Sequence, residues 1–129
     1  MAIENEISKK IIGAAIEVHK ALGPGLLESA YEQCLAHELT LRQVQYRKQV
    51  ALPLVYKGLP VDCSYRLDFL VEEKVVLEIK AIETILPVHQ AQVLTYIKLG
   101  DWRLGLLINF HVPLLKHGIY RLVSGLDEE

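Results

Sequence analysis

The chain has 129 residues, 51% of them hydrophobic and 23% charged, with a formal charge of −2 and a pI near 6.2. This composition excludes a disordered chain and fits one soluble domain, residues 1–129, around one core. No apolar run reaches the roughly 18 residues of a membrane span, so no membrane partner is expected. The acidic balance argues against tight, non-specific duplex binding, although a carboxylate metal site would itself lower the net charge.

The opening Met1-Ala2-Ile3-Glu4-Asn5-Glu6 carries no basic region followed by an apolar stretch, so no export leader is read and a cytoplasmic location is expected. Cys34 and Cys63 form no CxxC and read as reduced, half-buried thiols. Ile7, Ile11, Ile12, Ala15, Ile16, His19 and Leu22 recur at helical spacing, which predicts an amphipathic helix over 4–22 with His19 packed near the core. Gly23-Pro24-Gly25 ends it. A second helix follows over about 26–43, with Leu27, Tyr31, Cys34, Leu35 and Leu39 on its apolar side.

The period then changes from helical to alternating. Val50, Leu52, Leu54 and Tyr56 predict a strand, which Gly58-Leu59-Pro60 turns. Strands over 63–71 and 75–82 flank the polar turn Glu72-Glu73-Lys74. Pro87 suits the first turn of a helix over about 87–99, with Leu94, Ile97 and Leu99 on its apolar side. Trp102 to Phe110 reads as a buried strand and Ile119 to Val123 as a last short one, before a frayed Asp127-Glu128-Glu129. The order is ααβββαββ, an α/β fold. Its strand–helix–strand crossover should make the 75–82 and 102–110 strands parallel.

Asp68 lies on one strand of the central hairpin, and Glu78 and Lys80 on the other. Side chains alternate along a strand, so Glu78 and Lys80 share a face. Two charges inside an apolar strand carry a desolvation cost unless they are paired or hold a metal. Adjacent strands lie only about 5 Å apart, so Asp68 and Glu78 can converge on one divalent cation. Lys80 could then orient water or stabilise charge on phosphate. A surface ion pair is the plainer alternative for Lys80. Glu28, in the first turn of the second helix, is either a favourable partner of the helix dipole or a third acid for the same site. It shares a face with Tyr31, and Gln92 shares a face with Tyr96 on the third helix. The five histidines show no i,i+4 pair and no HExxH, so zinc is not indicated. Neither a phosphate-binding glycine loop nor GxSxG is present.

Gly25-Leu26-Leu27-Glu28-Ser29-Ala30-Tyr31 matches a GxxExxY signature. With the Asp68 strand, Glu78-Ile79-Lys80, Gln92-x-x-x-Tyr96 and Leu106-Leu107-Ile108-Asn109-Phe110 in order, the chain resembles the GxxExxY group and, through it, the PD-(D/E)XK nuclease superfamily. Gln92-x-x-x-Tyr96 also resembles the QxxxY motif of RecB-like exonucleases. The resemblance implies a restriction-endonuclease-like mixed sheet flanked by helices and a nucleic-acid substrate. Glu28, Asp68, Glu78 and the Ile79 carbonyl would bind Mg²⁺ or Mn²⁺. Lys80 would activate water, Gln92 would join the catalytic set, and Tyr31 and Tyr96 would face substrate. Leu67 stands where the superfamily name has Pro. Two further expectations remain open: a catalytically silent, nuclease-like binding or assembly module, and a homodimer that lengthens the substrate groove.

Overall fold

A computed structural model describes residues 2–62 and 65–126. Cys63, the start of the strand expected from 63, and the tail 127–129 lie outside the described residues. Helix α1 (Ile3–Leu22) buries Ile7, Ile11, Ala14, Ala15 and Val18 together with His19, whose Nε2 lies 2.8 Å from the Val112 carbonyl oxygen. The buried stripe runs slightly off the expected one. Ala14 and Val18 take the core side, while Ile16 and Leu22 are exposed. Helix α2 (Glu28–Leu41) is shorter than expected and buries Tyr31, Leu35, Ala36 and Leu39. Leu27 precedes its first turn and is exposed, and the Cys34 thiol is exposed rather than half-buried.

The expected first strand is two. Strand β1 (Tyr46–Ala51) stops before Pro53, which lacks the N–H a ladder needs. Strands β2 (Leu54–Tyr56) and β3 (Leu59–Val61) form a separate two-stranded sheet. Lys57 and Gly58, both at positive φ (48° and 84°), make its two-residue turn, as tight hairpins require. The 58–60 segment is therefore only partly turn, and Leu59–Val61 continues as strand. Strands β4 (Arg66–Val71) and β5 (Val75–Lys80) flank the Glu72–Lys74 turn as expected.

Helix α3 (Pro87–Leu99) has Pro87 in its first turn. It buries Val93, Tyr96 and Ile97, whereas Leu94 is half-buried and Leu99 exposed. Strands β6 (Leu104–Asn109) and β7 (Ile119–Val123) follow, with a 3₁₀ turn at Leu115–Gly118 between them. The main sheet runs β1-β4-β5-β6-β7, and only β5 and β6 are parallel, as the crossover required.

One face of this sheet packs on α1 and α2 through Phe69, Leu77, Ile79, Leu106 and Ile108. The other packs on α3 through Leu70, Val76, Tyr96 and Ile97. Gly105 allows α3 to lie close, since a Cβ there would meet the Val93 side chain at 2.7 Å. Buried Glu4 accepts two hydrogen bonds from Arg103, which ties the start of α1 to the entry of β6. Among the described residues no helix is long and apolar enough to cross a membrane.

Candidate active site

Strands β4 and β5 pair regularly from their turn outward, Val71 with Val75, Leu70 with Val76, and Phe69 with Leu77. The next rung sets Asp68 against Glu78, and there the ladder changes partner. The Asp68 backbone N–H donates to Glu78 Oε2 at 2.7 Å, and the Ile79 N–H donates to Asp68 Oδ2 at 2.8 Å. Each carboxylate thus bonds the opposite strand's backbone, standing where a carbonyl would stand, and the strands part to admit them. The rung is irregular on the β1 side too. Gln49 has φ +52°, and the Gln49–Asp68 rung drops out between the Lys48–Phe69 and Val50–Leu67 pairs while the register on either side is kept.

Burial and mutual repulsion shape the chemistry of the pair. Glu78 is buried, and its carboxyl is pushed up to about 8, by desolvation first and the Asp68 charge second. Asp68 is half-buried and is pushed up to about 6, chiefly by desolvation, against the Ile79 hydrogen bond that favours the carboxylate. Glu32 and Glu28 add repulsion to Asp68, and Glu28 adds it to Glu78. Lys80, half-buried at the end of β5, is the cation that opposes this for both acids. Burial and repulsion together disfavour the doubly charged pair. A divalent cation would relieve the same repulsion.

Helix α2 brings the third acid. Gly23 (φ +68°) and Gly25 (φ +99°) turn the chain from α1 into α2. The Tyr31 hydroxyl donates to the Gly23 carbonyl at 2.5 Å and accepts from the Leu26 N–H at 3.1 Å. The Tyr31 ring stacks on Phe110 at 4.6 Å. Tyr31 is fully buried and its hydroxyl is spent on the turn. It therefore presents no surface to a substrate, contrary to the expectation from sequence. What the GxxExxY spacing builds is a fastened turn that starts α2 at Glu28, with its carboxylate exposed in the first helical turn.

The third helix contributes less. Tyr96 is buried in the α3-side core, 5.9 Å from the Tyr65 ring. Gln92 lies one turn before it, exposed, with no hydrogen bond to either acid. The structure therefore brings together Asp68, Glu78 and the Ile79 backbone, and sets Glu28 and Lys80 within electrostatic reach. Gln92 and Tyr96 are not joined to them.

Three neighbours escaped the reading of the sequence. Glu32 follows Glu28 by one helical turn, a signal that was available. It accepts from Gln49 Nε2 at 2.8 Å and lies 3.8 Å from Lys48 Nζ, which pins α2 to β1 beside Asp68. No sequence pattern marks Gln49. Asn109, a polar residue inside an otherwise apolar strand, is buried and clamps the exit of β5. Its Oδ1 accepts from the Ile82 N–H and its Nδ2 donates to the Ile82 carbonyl. The clamp fixes the backbone just beyond Lys80.

The donor chemistry suits a hard divalent ion. Each acid spends one oxygen on backbone, and among the described residues no enclosed side-chain oxygen or nitrogen lacks a partner. Among those residues, too, no three acidic, histidine or cysteine side chains cluster closely enough to hold a metal by themselves. Two carboxylates, a backbone carbonyl and water match the usual Mg²⁺ pattern rather than an all-protein cage.

No curated protein and no solved structure matches the chain. The family model described as the PD-(D/E)XK nuclease superfamily matches residues 5–122, spanning the acid pair and the main sheet to within one residue of its last strand's end. A mixed five-stranded sheet, opened at an acid-x-lysine strand and flanked by helices, is what that match entails, and the chain belongs to the PD-(D/E)XK nuclease superfamily.

Proposed function

We propose that this protein is a Mg²⁺- or Mn²⁺-dependent nuclease of the GxxExxY group, hydrolysing phosphodiester bonds of nucleic acid by water attack. The observation that carries the reading is the cross-bonded Asp68–Glu78 pair at the point where β4 and β5 part. Asp68, Glu78 and the Ile79 carbonyl would hold the cation. When bound, it would polarise the phosphate and acidify a coordinated water. Lys80, on the same strand face as Glu78, would orient the attacking water or balance charge on a phosphate oxygen. Glu28, held at the start of α2, would serve as a third acid or as the base that receives the water's proton. Gln92 would meet substrate from the exposed side of α3, with Tyr96 supporting that helix from beneath.

Glu78→Ala and Lys80→Ala should each lower turnover by at least about 10²-fold, with unchanged far-ultraviolet dichroism. Undiminished turnover in both variants, on a substrate the parent cuts, would remove the proposal.

One observation favours a second reading. Asp68 and Glu78 satisfy each other's strand backbone without any ion, so they also fit a metal-free binding or assembly module. Calorimetry with Mn²⁺ separates the two. Binding that is lost in Asp68→Ala supports the enzyme, and no heat at millimolar metal supports the module.

A further inference from the structure

Residues 46–66 hold four cations, Arg47, Lys48, Lys57 and Arg66, against one acid, Asp62, within a chain of net charge −2. Each tyrosine of the stretch is followed directly by a cation: Tyr46-Arg47, Tyr56-Lys57 and Tyr65-Arg66. Tyr46 is used by the fold, its hydroxyl 3.0 Å from Thr40 Oγ1 and its ring edge-on to Phe69. The other two are open. Tyr56 is 61% exposed, with Lys57 Nζ 5.4 Å from its ring centroid, and Tyr65 is 42% exposed. Val55 and Leu59, 60% and 62% exposed, extend the same β2–β3 hairpin. A two-stranded hairpin is marginal in water, and apolar side chains on its outside do not stabilise it.

Its place in the fold matters more than its composition. Strands β1 and β4 end their pairing at Ala51–Arg66. Arg66 is two residues, about 7 Å of extended strand, from Asp68. The hairpin therefore leaves the sheet from the end at which the acid pair opens.

We propose that the β2–β3 hairpin, with Tyr65 and Arg66 at its base, holds single-stranded nucleic acid and leads it to the Asp68–Glu78 pair. Tyr56 and Tyr65 stack on unpaired bases, and Lys57 and Arg66 meet backbone phosphates. Exposed flat rings interleaved with cations suit an unpaired strand, whose bases present their faces. A duplex hides those faces and calls for a broader basic stripe than this acidic protein carries. Arg47 and Lys48 are paired with Glu73 and Glu32, but Lys57 and Arg66 still outnumber Asp62 beside the apolar patch, which favours a polyanion over a second copy of the chain. The route to the acids rests on the nuclease reading, but the binding does not.

The test is fluorescence anisotropy in EDTA, where cleavage is silent, with a labelled DNA strand of about 15 nucleotides and the same strand annealed to its complement. The parent should bind the single strand more tightly than the duplex. Tyr56→Ala and Tyr65→Ala should each raise Kd roughly tenfold, and Tyr56→Phe, which keeps the ring, should bind like the parent. Lys57→Ala should weaken binding and flatten its salt dependence. Equal affinity of parent and both alanine variants, duplex bound as well as single strand, or no binding at all would overturn the proposal. So would a dimer in sedimentation that Val55→Ser with Leu59→Ser dissolves. Strand binding without cleavage in Mn²⁺ would leave the hairpin assignment standing and remove the hydrolase reading alone.

Discussion

The two ends of the β4–β5 hairpin are built from opposite materials. Toward the turn, Phe69, Val71, Val75 and Leu77 are fully buried and the backbones bond each other in register. One rung further, Asp68 and Glu78 interrupt the ladder, and side-chain oxygens accept what carbonyls would have accepted. The closed end gains from apolar burial, about 25 cal/mol per Å². The open end loses through desolvated carboxylates and their repulsion. A sheet made only for stability would continue the first pattern. The change of pattern within one residue step is where the sheet gives up stability, as the proposed catalytic role of the pair would require.

The contrast is broken most severely at the closed end. Leu77→Ala should cost about 2–5 kcal/mol, the range for deleting a buried leucine, read from the midpoint of urea unfolding. A cost below about 1 kcal/mol would mean that this end is not a stable anchor.

At the open end the sign reverses and depends on pH. Both acids are raised above their unfolded values, so between the ordinary carboxylate range and about 8 the folded state holds more protons than the unfolded one. Stability of the metal-free protein should therefore fall as pH rises through that window and level off above it. Glu28 and Glu32 on α2 steepen the fall and Lys80 on β5 moderates it. Glu78→Gln keeps an oxygen for the Asp68 N–H and removes the charge. It should melt a few degrees above the parent at pH 8 and converge with it near the ordinary carboxylate range, while losing turnover. A parent midpoint that rises with pH across the window would refute the assignment of the strain to these acids.

Much of this layout is legible in sequence, and the reasons differ by residue. The bounds of α3, the polar turn at 72–74 and the parallel β5–β6 crossover follow from proline placement, composition and connectivity. Asp68 and Glu78 stand out because a charge in an apolar strand is costly. The split of the first strand is hidden because alternation alone spans both β1 and β2, although Pro53 and Lys57-Gly58 signal it. The role of Gln49 is not readable at all, since a left-handed glutamine beside the acid rung arises from tertiary strain and leaves no periodicity. The substrate role that the resemblance implies for Tyr31 does not fit its full burial. Its buried ring and the turn it fastens become visible only when Phe110 and Gly23 are placed around it.

That reassignment gives the smallest effect and a clean discrimination between roles. Tyr31→Phe keeps the stacking on Phe110 but removes the acceptor for Leu26 and the donor to Gly23. The expected cost is about 1 kcal/mol in urea unfolding, in line with lost internal hydrogen bonds. Because the turn sets the start of α2, Glu28 should also wander, and kcat should drop by less than about tenfold with KM unchanged. A tyrosine that touched substrate would give the reverse, a raised KM with stability intact. Since Tyr31→Phe deletes only the hydroxyl, whose partners are Gly23 and Leu26, and keeps the ring in the core it shares with Leu77, it should leave the unfolding cost of Leu77→Ala unchanged.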